Sequence, residues 1–564
     1  MESPMIPTEP PATESTAKGS HATAVINRRT LLKSGVLATA LAGSPVLAQS
    51  GERGFTHGVA SGEPGADRVL LWTRFVADSP AKLTYELSDT ADFARIVTGG
   101  EASATPDRDW CCKAKVNGLE PDSWYYYRFV SPDGSISPVG RTRTLPLGPT
   151  ERWRMAVFSC SNIGFGWFNA YAHAAAEDAF DMIVHTGDYF YEYGRGTYPS
   201  VEQALADRRL DPTNEIVTLA DYRARHGLYR RDPDLRRLTQ LYPMIAVIDD
   251  HESANDSWRG GAENHQPETE GDWSVRKRAA MRAYREWMPV DDEVDYARYD
   301  IGDLATLFRL ETRLTGRDEQ FSIGKVISGK TSPDEMMAAL SRFHDGEYLD
   351  PSRNMMGEAQ SAWLSEGLGQ SKRDGTTWQV LVQQVLTGSV STPTGLADSL
   401  GDDVPDYVRQ RVRAGALAAK AGLPLNMDAW DGYPAARARL FESALAADAD
   451  LIVLAGDTHN AWAFDLDHDG DRVGVEFGGQ SVTSPGFESY LPQIPADRLA
   501  SALVEANPQL RWAQSSRRGY MAVELTPTRA TSEYRFLSGI RSRSTALAAT
   551  HRESVRNGER TLET

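Results

Sequence analysis

Three cysteines in 564 residues are too few to build a disulfide framework. Cys111 and Cys112 are adjacent, a spacing at which a disulfide forms only with strain, so we expect them to pack in a strand. Basic residues are also scarce: 60 Lys and Arg against 78 Asp and Glu give a formal charge of −18. Because an acidic chain does not attract polyanions through its overall field, nucleic acid is disfavoured as a bulk partner.

Beyond the N-terminal region no apolar segment approaches the 20 residues that a transmembrane helix needs, so we predict no permanent membrane anchor. Near the N-terminus, a short apolar stretch at 35–43 follows the twin arginines Arg28 and Arg29 and precedes the small-residue segment 46–48. This order is typical of a signal for the twin-arginine export machinery. We therefore predict that residues 1–48 are a signal peptide and that the mature protein is periplasmic or secreted.

The rest of the chain divides by pattern into three regions. Residues 49–147 hold short strand patterns separated by Gly, Asp and Pro, which predict an all-β domain of the fibronectin or immunoglobulin-like sandwich type. From 148 to 540 buried-strand patterns alternate with helical ones, which is typical of an α/β domain. Residues 541–564 are basic and polar, and we predict a tail or a peripheral helix. Helical spacing within the α/β region is present at 201–209, 222–229, 276–287 and 435–445.

Four apolar runs of this region end in side chains that can bind metal ions. Such runs predict buried parallel strands, and in open α/β sheets the ligand site lies at the carboxyl ends of the strands. We therefore expect one rim to collect Cys160, Asp188, Tyr191, Asp249, Asp250, His251, Asp457 and His459. So many donors would repel each other or stay buried and unpaired unless cations lay among them.

The residue types indicate which cations the site would bind. The carboxylate of Asp188 follows Gly187, which permits a sharp turn, and it can bridge two ions. A thiolate from Cys160 and a phenolate from Tyr191 favour a trivalent or softer transition metal, and iron is the natural candidate. Carboxylate and imidazole ligands also suit zinc or manganese. Two simpler interpretations stay open: Tyr191 as a packing residue, and 249–252 as a solvated acidic loop.

The ordered set of motifs resembles the calcineurin-like metallophosphoesterases, and most closely the alkaline phosphatase D family. The motifs are Cys160-Ser-Asn162, Gly187-Asp188-x-x-Tyr191, Asp249-Asp250-His251-Glu252 and Gly456-Asp457-x-His459, and the stretches 58–63, 71–74, 378–384, 428–433 and 481–486 agree with the same family. The likeness runs from about residue 58 to 536. It implies an α/β fold of the four-layer αββα metallophosphoesterase type, preceded by the N-terminal β-sandwich.

The resemblance also implies a ferric iron, Fe(3+), with calcium, Ca(2+), beside it. Matched motif by motif, iron would be held by Cys160, Asp188, Tyr191 and His459, and calcium by Asp188 as the bridge with Asp250, Asn255 and Asp457. The match at Asn255 is looser, because segment 253–256 reads Ser-Ala-Asn-Asp where the family often has two consecutive Asn. Residues 310–313 read Leu-Glu-Thr-Arg where the family often has Leu-Asp-Thr-Arg.

These expectations combine into hydrolysis of small phosphate mono- or diesters by a metal-activated water. His251 would protonate the leaving oxygen or position the phosphate, and Asn162 would donate a hydrogen bond to the phosphate. Two alternatives stay open: a phospholipase D-like phosphodiesterase on the same site, and a non-catalytic surface binding protein that uses metals as structural staples. The sequence has neither a serine nucleophile elbow nor a Walker-type loop, so nucleotide-driven work is not indicated.

Overall fold

The computed structural model describes residues 52–396, 400 and 406–563. The predicted signal peptide, residues 1–48, lies outside the described residues. Within them the strands form three sheets, of nine, seven and four strands. No helix of the described ranges is both long and apolar enough to cross a membrane.

The N-terminal region is built from strands, as its pattern predicts. They are β1 (Gly54–Gly62), β2 (Arg68–Val76), β3 (Ala81–Ser88), β4 (Ile96–Ala104), β5 (Cys111–Asn117), β6 (Trp124–Val130) and β7 (Gly140–Arg143). The four-stranded sheet has the order β4-β3-β6-β7, and a buried cluster joins its Leu83 and Phe129 to Val59 and Leu71 of β1 and β2. Cys111 and Cys112 are free and buried in β5.

This region shares a sheet with the rest of the chain. The nine-stranded sheet has the order β20-β19-β18-β8-β9-β10-β1-β2-β5, and β1 pairs with β10 in parallel through Ser61 and Gly62. Its remaining strands are β8 (Trp153–Phe158), β9 (Met182–His185), β10 (Pro243–Ala246), β18 (Gly519–Leu525), β19 (Arg529–Leu537) and β20 (Leu547–Arg556). The nine-stranded sheet therefore contains strands from both sides of the predicted boundary at residue 147.

The C-terminal prediction of a tail or peripheral helix over 541–564 is wrong. Residues Leu547–Arg556 form β20, which pairs antiparallel with β19 along its whole length and is the edge of the sheet. The strand alternates partly buried with exposed residues, and its many charged side chains are those of a solvated edge. Ion pairs such as Arg552 with Glu533 attach it to β19.

The seven-stranded sheet has the order β11-β12-β13-β14-β16-β15-β17, in which β12, β13, β14 and β16 are parallel. Its strands are β11 (Ala297–Ile301), β12 (Ala305–Arg309), β13 (Trp378–Val382), β14 (Leu451–Ala455), β15 (Ala461–His468), β16 (Asp471–Gly478) and β17 (Leu510–Gln514).

The helices confirm three of the four predicted helical segments. They are α1 (Asn169–Glu177), α2 (Leu219–Arg230), α3 (Pro233–Leu241), α4 (Pro267–Glu270), α5 (Trp273–Trp287), α6 (Ile323–Ile327), α7 (Pro333–His344), α8 (Glu358–Arg373), α9 (Asp406–Lys420), α10 (Pro434–Ala446), α11 (Phe487–Tyr490) and α12 (Ala496–Ala506). The prediction over 201–209 is wrong, because these residues form turns.

The central strands β9 and β14 are buried on both faces, which explains their uninterrupted apolar runs. In β9, Val184 belongs to a cluster that includes residues of both large sheets, while its neighbour Ile183 packs with residues of α1, α2, α3 and α5. In β14, Leu454 joins the same shared cluster, while Val453 packs with residues of α8, α10 and α12. The protein is thus a mixed α/β fold in which strand ends, rather than strand faces, are free to carry chemistry.

Candidate metal centre

The predicted ligands follow the carboxyl ends of strands from both large sheets. Cys160 and Asp188 follow β8 and β9, which are parallel neighbours in the nine-stranded sheet. Asp250 follows β10 in the same sheet, whereas Asp457 and His459 follow β14 of the seven-stranded sheet. Two sheets thus present their strand ends to one site.

Three overlapping groups of donors lie close enough to share metal ions. In each group the ligand atoms lie within 4.8 Å of one another, and all the members are buried. The groups are Cys160, Asp188 and His459; Asp188, Asp250 and His251; and Asp188, Asp249, Asp250 and Asp457. Asp188 is the member common to all three.

Tyr191 joins the first group through its hydroxyl. The phenol oxygen lies 3.1 Å from Oδ2 of Asp188 and 3.0 Å from Nε2 of His459, and it accepts a 2.7 Å hydrogen bond from Ser484. Nδ1 of His459 lies 2.8 Å from the carbonyl oxygen of Pro485 and must donate to it, so Nε2 is the nitrogen turned to the site. The interpretation of Tyr191 as a mere packing residue does not account for these three polar contacts.

The backbone at these strand ends is strained. Cys160, Asp188, Asp457 and His459 have φ values of 57°, 53°, 66° and 62°, in the left-handed region that non-glycine residues rarely adopt. Each costs on the order of 1 kcal/mol, and such residues cluster at functional sites. A Cβ at Gly187 would lie 2.3 Å from Cβ of Asp249, so glycine is needed for the close approach of the two loops.

Three carboxylate oxygens of the centre accept no hydrogen bond from any group in the described part of the chain. Oδ1 of Asp188, Oδ2 of Asp249 and Oδ2 of Asp457 are buried without a hydrogen-bond partner. Burial raises the pKa of Asp249 to about 6 and that of Asp457 to about 7, and it raises the pKa of Asp188 well above its usual value. Buried carboxyl groups of this kind are stable in ionised form only beside cations, so the donor set fits a centre of more than one metal ion.

Arg313 supplies one fixed positive charge behind this cluster. Its guanidinium is fully buried, with Nε 2.6 Å from Asp249 and Nη1 2.6 Å from Asp428. Its Nη2 lies 3.6 Å from Asp457 and 3.9 Å from Asp250, too far for direct hydrogen bonds. The buried guanidinium of Arg317 also pairs with Asp428. Arg313 alone cannot neutralise the other three carboxylates, Asp249, Asp250 and Asp457, which leaves charge for metal ions to balance.

The structure accommodates Glu311 at the position where the family that the motifs resemble often has Asp. The carboxylate of Glu311 accepts backbone N–H groups from Arg313 at 2.8 Å, Leu314 at 2.6 Å and Thr315 at 2.9 Å. It therefore shapes the turn that carries Arg313 into the site. A second acid, Glu252, accepts backbone N–H groups from Asp188 at 3.2 Å and Asp249 at 2.7 Å, and so ties two ligand loops together.

His251 lies at the edge of the cluster between two aromatic rings. Its ring centroid is 4.2 Å from that of Tyr191 and 5.4 Å from that of Tyr193, and its Nδ1 is 2.6 Å from Oε2 of Glu192. Burial alone would lower the pKa of His251, but the carboxylates of Asp250, Asp188 and Glu192 raise it well above its usual value. These carboxylates therefore favour the protonated form of the imidazole.

The two predicted asparagines are buried and hydrogen-bonded. Asn255 donates its backbone N–H to Glu192 at 2.8 Å and its side-chain amide to Glu263 at 3.1 Å. Asn162 donates its amide to the carbonyl of Tyr198 at 3.3 Å and accepts the backbone N–H of Gly164 at 3.0 Å.

Sequence reasoning missed Glu192 and Ser484. Glu192 is an acid inside the aromatic segment 189–193, directly after Tyr191, and a charge in so apolar a setting was the available signal. Ser484 carries no comparable signal, because its contact with Tyr191 spans 293 positions.

The mixed sheets and the buried carboxylate, imidazole, thiol and phenol groups define an α/β protein with a candidate multi-ion metal centre. Comparison with known families identifies the class of protein more closely. Residues 155–534 match the model described as PhoD-like phosphatase, and residues 39–146 match that of the PhoD-like phosphatase, N-terminal domain. The chain belongs to the PhoD-like phosphatase family and is a phosphoric ester hydrolase.

Individual relatives agree with this assignment. The chain is 31% identical to alkaline phosphatase D of Bacillus subtilis (strain 168) over 510 residues, which are 86% of this chain and 77% of the relative. It superimposes on a solved structure titled "Structure of PhoD" with a TM-score of 0.73 at 28% identity, covering 90% of this chain and 92% of that one. The resemblance drawn from the sequence motifs is thereby confirmed.

Proposed function

We propose that this hydrolase acts at a mixed iron–calcium centre built on Asp188. The observation that carries the proposal is the membership of Asp188 in all three donor groups. On one side of it lie the thiol of Cys160, the phenol of Tyr191 and the imidazole of His459, which suit a trivalent or softer metal. On the other lie carboxylates, which suit calcium.

The proposed assignment follows this division. Iron would be held by Cys160, Asp188, Tyr191 and His459, and calcium by Asp188, Asp250, Asn255 and Asp457. Burial raises the pKa of the Cys160 thiol and the Tyr191 phenol well above their usual values. Both groups would lose their protons only to a bound cation, and so metal binding would release protons.

Bound cations would lower the pKa of water and neutralise phosphoryl charge as the ester bond breaks. The chain's own residues handle the remaining steps. His251, in the same group as Asp188 and Asp250, would protonate the leaving oxygen. The amide of Asn162 uses one N–H for Tyr198, which leaves its second N–H for a phosphate oxygen.

The proposal includes a four-layer αββα fold and export by the twin-arginine route. The layers are supported by the cluster shared between the two large sheets and by the helices packed with residues of their other faces. We keep the domain limits 49–147 and 148–540 as proposals, except that β20 (Leu547–Arg556) extends the second domain beyond residue 540. Export and a periplasmic or secreted location are supported by the twin-arginine pattern at 27–48.

The proposed substrates are small phosphate mono- or diesters. The test compares 4-nitrophenyl phosphate, bis(4-nitrophenyl) phosphate and phosphatidylcholine before and after metal removal by a chelator. We expect the chelated protein to be inactive and to recover with iron plus calcium. Undiminished hydrolysis by metal-free protein would refute the centre, and preference for phosphatidylcholine would favour the phospholipase D-like alternative. Membership of a phosphatase family disfavours the non-catalytic binding protein.

A further inference from the structure

We propose that an apolar cavity beside the metal centre, with the carboxylate of Asp431 in its wall, binds a cationic ammonium group on the alcohol part of the ester. The cavity has a volume of about 40 Å³, and its walls include Leu386, Val390, Trp462 and Phe487. The inference rests on the proposed function and deepens it, because it names a class of substrate for the same centre.

The cavity lies at the same edge of the seven-stranded sheet as the proposed ligands Asp457 and His459. Its residue Leu386 follows β13, Thr458 follows β14 and Phe487 follows β16, and these three strands run parallel. Thr458 is the residue between the two ligands. Because the carboxyl ends of parallel strands share one edge of a sheet, the cavity continues the rim that carries the metal centre.

Hydrogen bonds join the walls of the cavity to the segment that carries these ligands. Nε1 of Trp462 donates to Oγ1 of Thr458 at 2.7 Å. The backbone N–H of Phe487 donates to Oδ1 of Asn460 at 3.1 Å, and the side-chain amide of Asn460 donates to the carbonyl of Thr458 at 2.6 Å. A group bound in the cavity therefore contacts the segment 457–460, which supplies two ligands to the proposed centre.

The lining divides into buried and partly exposed residues. Leu386, Val390 and Trp462 are buried, whereas Thr458 and Phe487 are partly exposed. Solvent therefore reaches the cavity from the side on which the ligand segment lies. A volume of about 40 Å³ holds on the order of three water molecules, or one small head group such as an ammonium. The alkyl chain of an alcohol would reach the cavity along the ring of Phe487.

Asp431 supplies the charge of the lining. Its Oδ2 accepts the backbone N–H of Val390 at 3.0 Å, while its Oδ1 is buried without a hydrogen-bond partner in the described part of the chain. Burial raises the pKa of Asp431 to about 7, although the charge of Arg437 acts to lower it. An unpaired buried acceptor is costly, and an ammonium group would both donate to Oδ1 and balance its charge.

The aromatic walls suit the same ligand. The rings of Trp462 and Phe487 meet edge to face, with their centroids 6.1 Å apart. Aromatic rings attract cations and also pack against the methylene groups next to an ammonium. A carboxylate oxygen among apolar and aromatic walls therefore favours an ammonium on a short alkyl chain over a neutral alkyl chain or a second anion.

The experiment measures the Kd of phosphonates by calorimetry on the metal-loaded protein at pH 9, where Asp431 and a primary ammonium both carry charge. Aminoalkylphosphonates of two to six methylenes are each paired with the alkylphosphonate in which a methyl group replaces the ammonium. At the length that joins the centre to the cavity, we expect the ammonium compound to bind on the order of tenfold more tightly, as one charge-assisted hydrogen bond provides. Methylphosphonate, which has no tail, is the reference for the centre alone.

Asp431→Asn keeps the shape of the side chain and an acceptor for Val390 but removes the charge. It should bring the ratio of the two Kd values close to one and leave the Kd of methylphosphonate unchanged. Asp467→Asn is the matched control, because Asp467 also lies near Arg437 but does not line the cavity. This control should keep the preference for the ammonium compound.

Phe487→Ala tests the wall independently of the charge, and it decides the question if Asp431→Asn fails to fold. It should weaken binding of the ammonium compound on the order of tenfold and leave methylphosphonate unchanged. Unchanged binding of the ammonium compound by Phe487→Ala would overturn the inference.

The remaining outcomes separate the inference from the function on which it rests. Equal Kd values within every pair, or a preference that survives in Asp431→Asn, would overturn the inference alone, and Oδ1 of Asp431 would then serve only a buried water. Failure of methylphosphonate to bind would contradict the proposed function, and the inference with it.

Discussion

The phenol oxygen of Tyr191 lies 3.0 Å from Nε2 of His459, although 268 positions separate the two residues. Tyr191 follows β9 in the nine-stranded sheet, and His459 follows β14 in the seven-stranded sheet. Both side chains converge with Asp188. The contact is therefore a direct measure of how closely the two sheets bring their strand ends together.

Replacing Tyr191 by Phe tests the proposed iron ligand. A phenolate bound to ferric iron should give a visible charge-transfer band, so we expect the band to disappear in Tyr191→Phe. Absorption spectroscopy of the metal-loaded protein measures this, and kcat should fall on the order of 10- to 100-fold, the range for a perturbed metal site.

Tyr189→Phe is the control for that experiment. Tyr189 is two residues away and equally buried, and its hydroxyl has no hydrogen-bond partner in the described part of the chain. The variant should keep the band. A band that survives in Tyr191→Phe would show that Tyr191 is not the phenolate ligand.

Replacing Asp188 by Asn tests the bridge. Because Asp188 belongs to all three donor groups, we expect its loss to weaken binding of both metals and to lower activity at least 100-fold. Elemental analysis and 4-nitrophenyl phosphate hydrolysis measure the two effects. Asp178→Asn, at the exposed end of α1, should change neither. Loss of only one metal from Asp188→Asn would contradict a shared ligand.

Replacing Arg313 by Met tests the fixed charge behind the cluster. The change leaves Asp249 and Asp428 without their 2.6 Å contacts in a fully buried setting. We expect the free energy of unfolding, measured in urea with metals present, to fall by about 3–5 kcal/mol. Arg259→Ala removes an ion pair whose arginine is 56% exposed and should cost less than about 1 kcal/mol. Equal losses in the free energy of unfolding for the two variants would contradict the role of Arg313 as a stabilising charge behind the cluster.

The buried acid Glu476 predicts a pH-dependent stability. Burial raises its pKa to about 7, although Thr387 and Gly388 donate hydrogen bonds to it and Arg437 lies nearby. The unfolded chain has the ordinary value of about 4.3. A raised folded-state pKa adds stability that is complete below the unfolded pKa and is lost as pH rises through the folded one.

The wild-type protein should therefore lose stability relative to Glu476→Gln as pH rises from about 4 to about 8, by at most about 4 kcal/mol. Urea unfolding of both proteins across that range measures the difference. Asp431, which faces the same arginine and has its pKa raised to about 7 by burial, remains in both proteins. The exposed Glu366→Gln provides the baseline, and parallel curves for wild type and Glu476→Gln would contradict the prediction.

The parts of the site that follow strand ends could be predicted from the sequence, because each has a local pattern: an apolar run, a turn and a ligand. Asp188, Asp457 and His459 were found this way, and the structure brings them together. The mixed α/β fold and the N-terminal strands follow from periodicity in the same way.

What could not be predicted depends on contacts between distant segments. Residue 192 has no pattern that points to His251, 59 positions away. Pairing of β1 with β10, which joins the N-terminal region to the main sheet, depends on only a short parallel register. The edge strand β20 has a charged, weakly alternating sequence that resembles a solvated tail, and only its pairing with β19 makes it a strand.

Elemental analysis of the protein purified after export by its native route tests the central claim most directly. The account predicts iron and calcium bound together in the same preparation, because Asp188 joins a thiol, phenol and imidazole group to a group of carboxylates. Zinc or manganese in place of iron would contradict the iron–calcium centre, and a fully active preparation without bound metal would contradict the metal centre altogether.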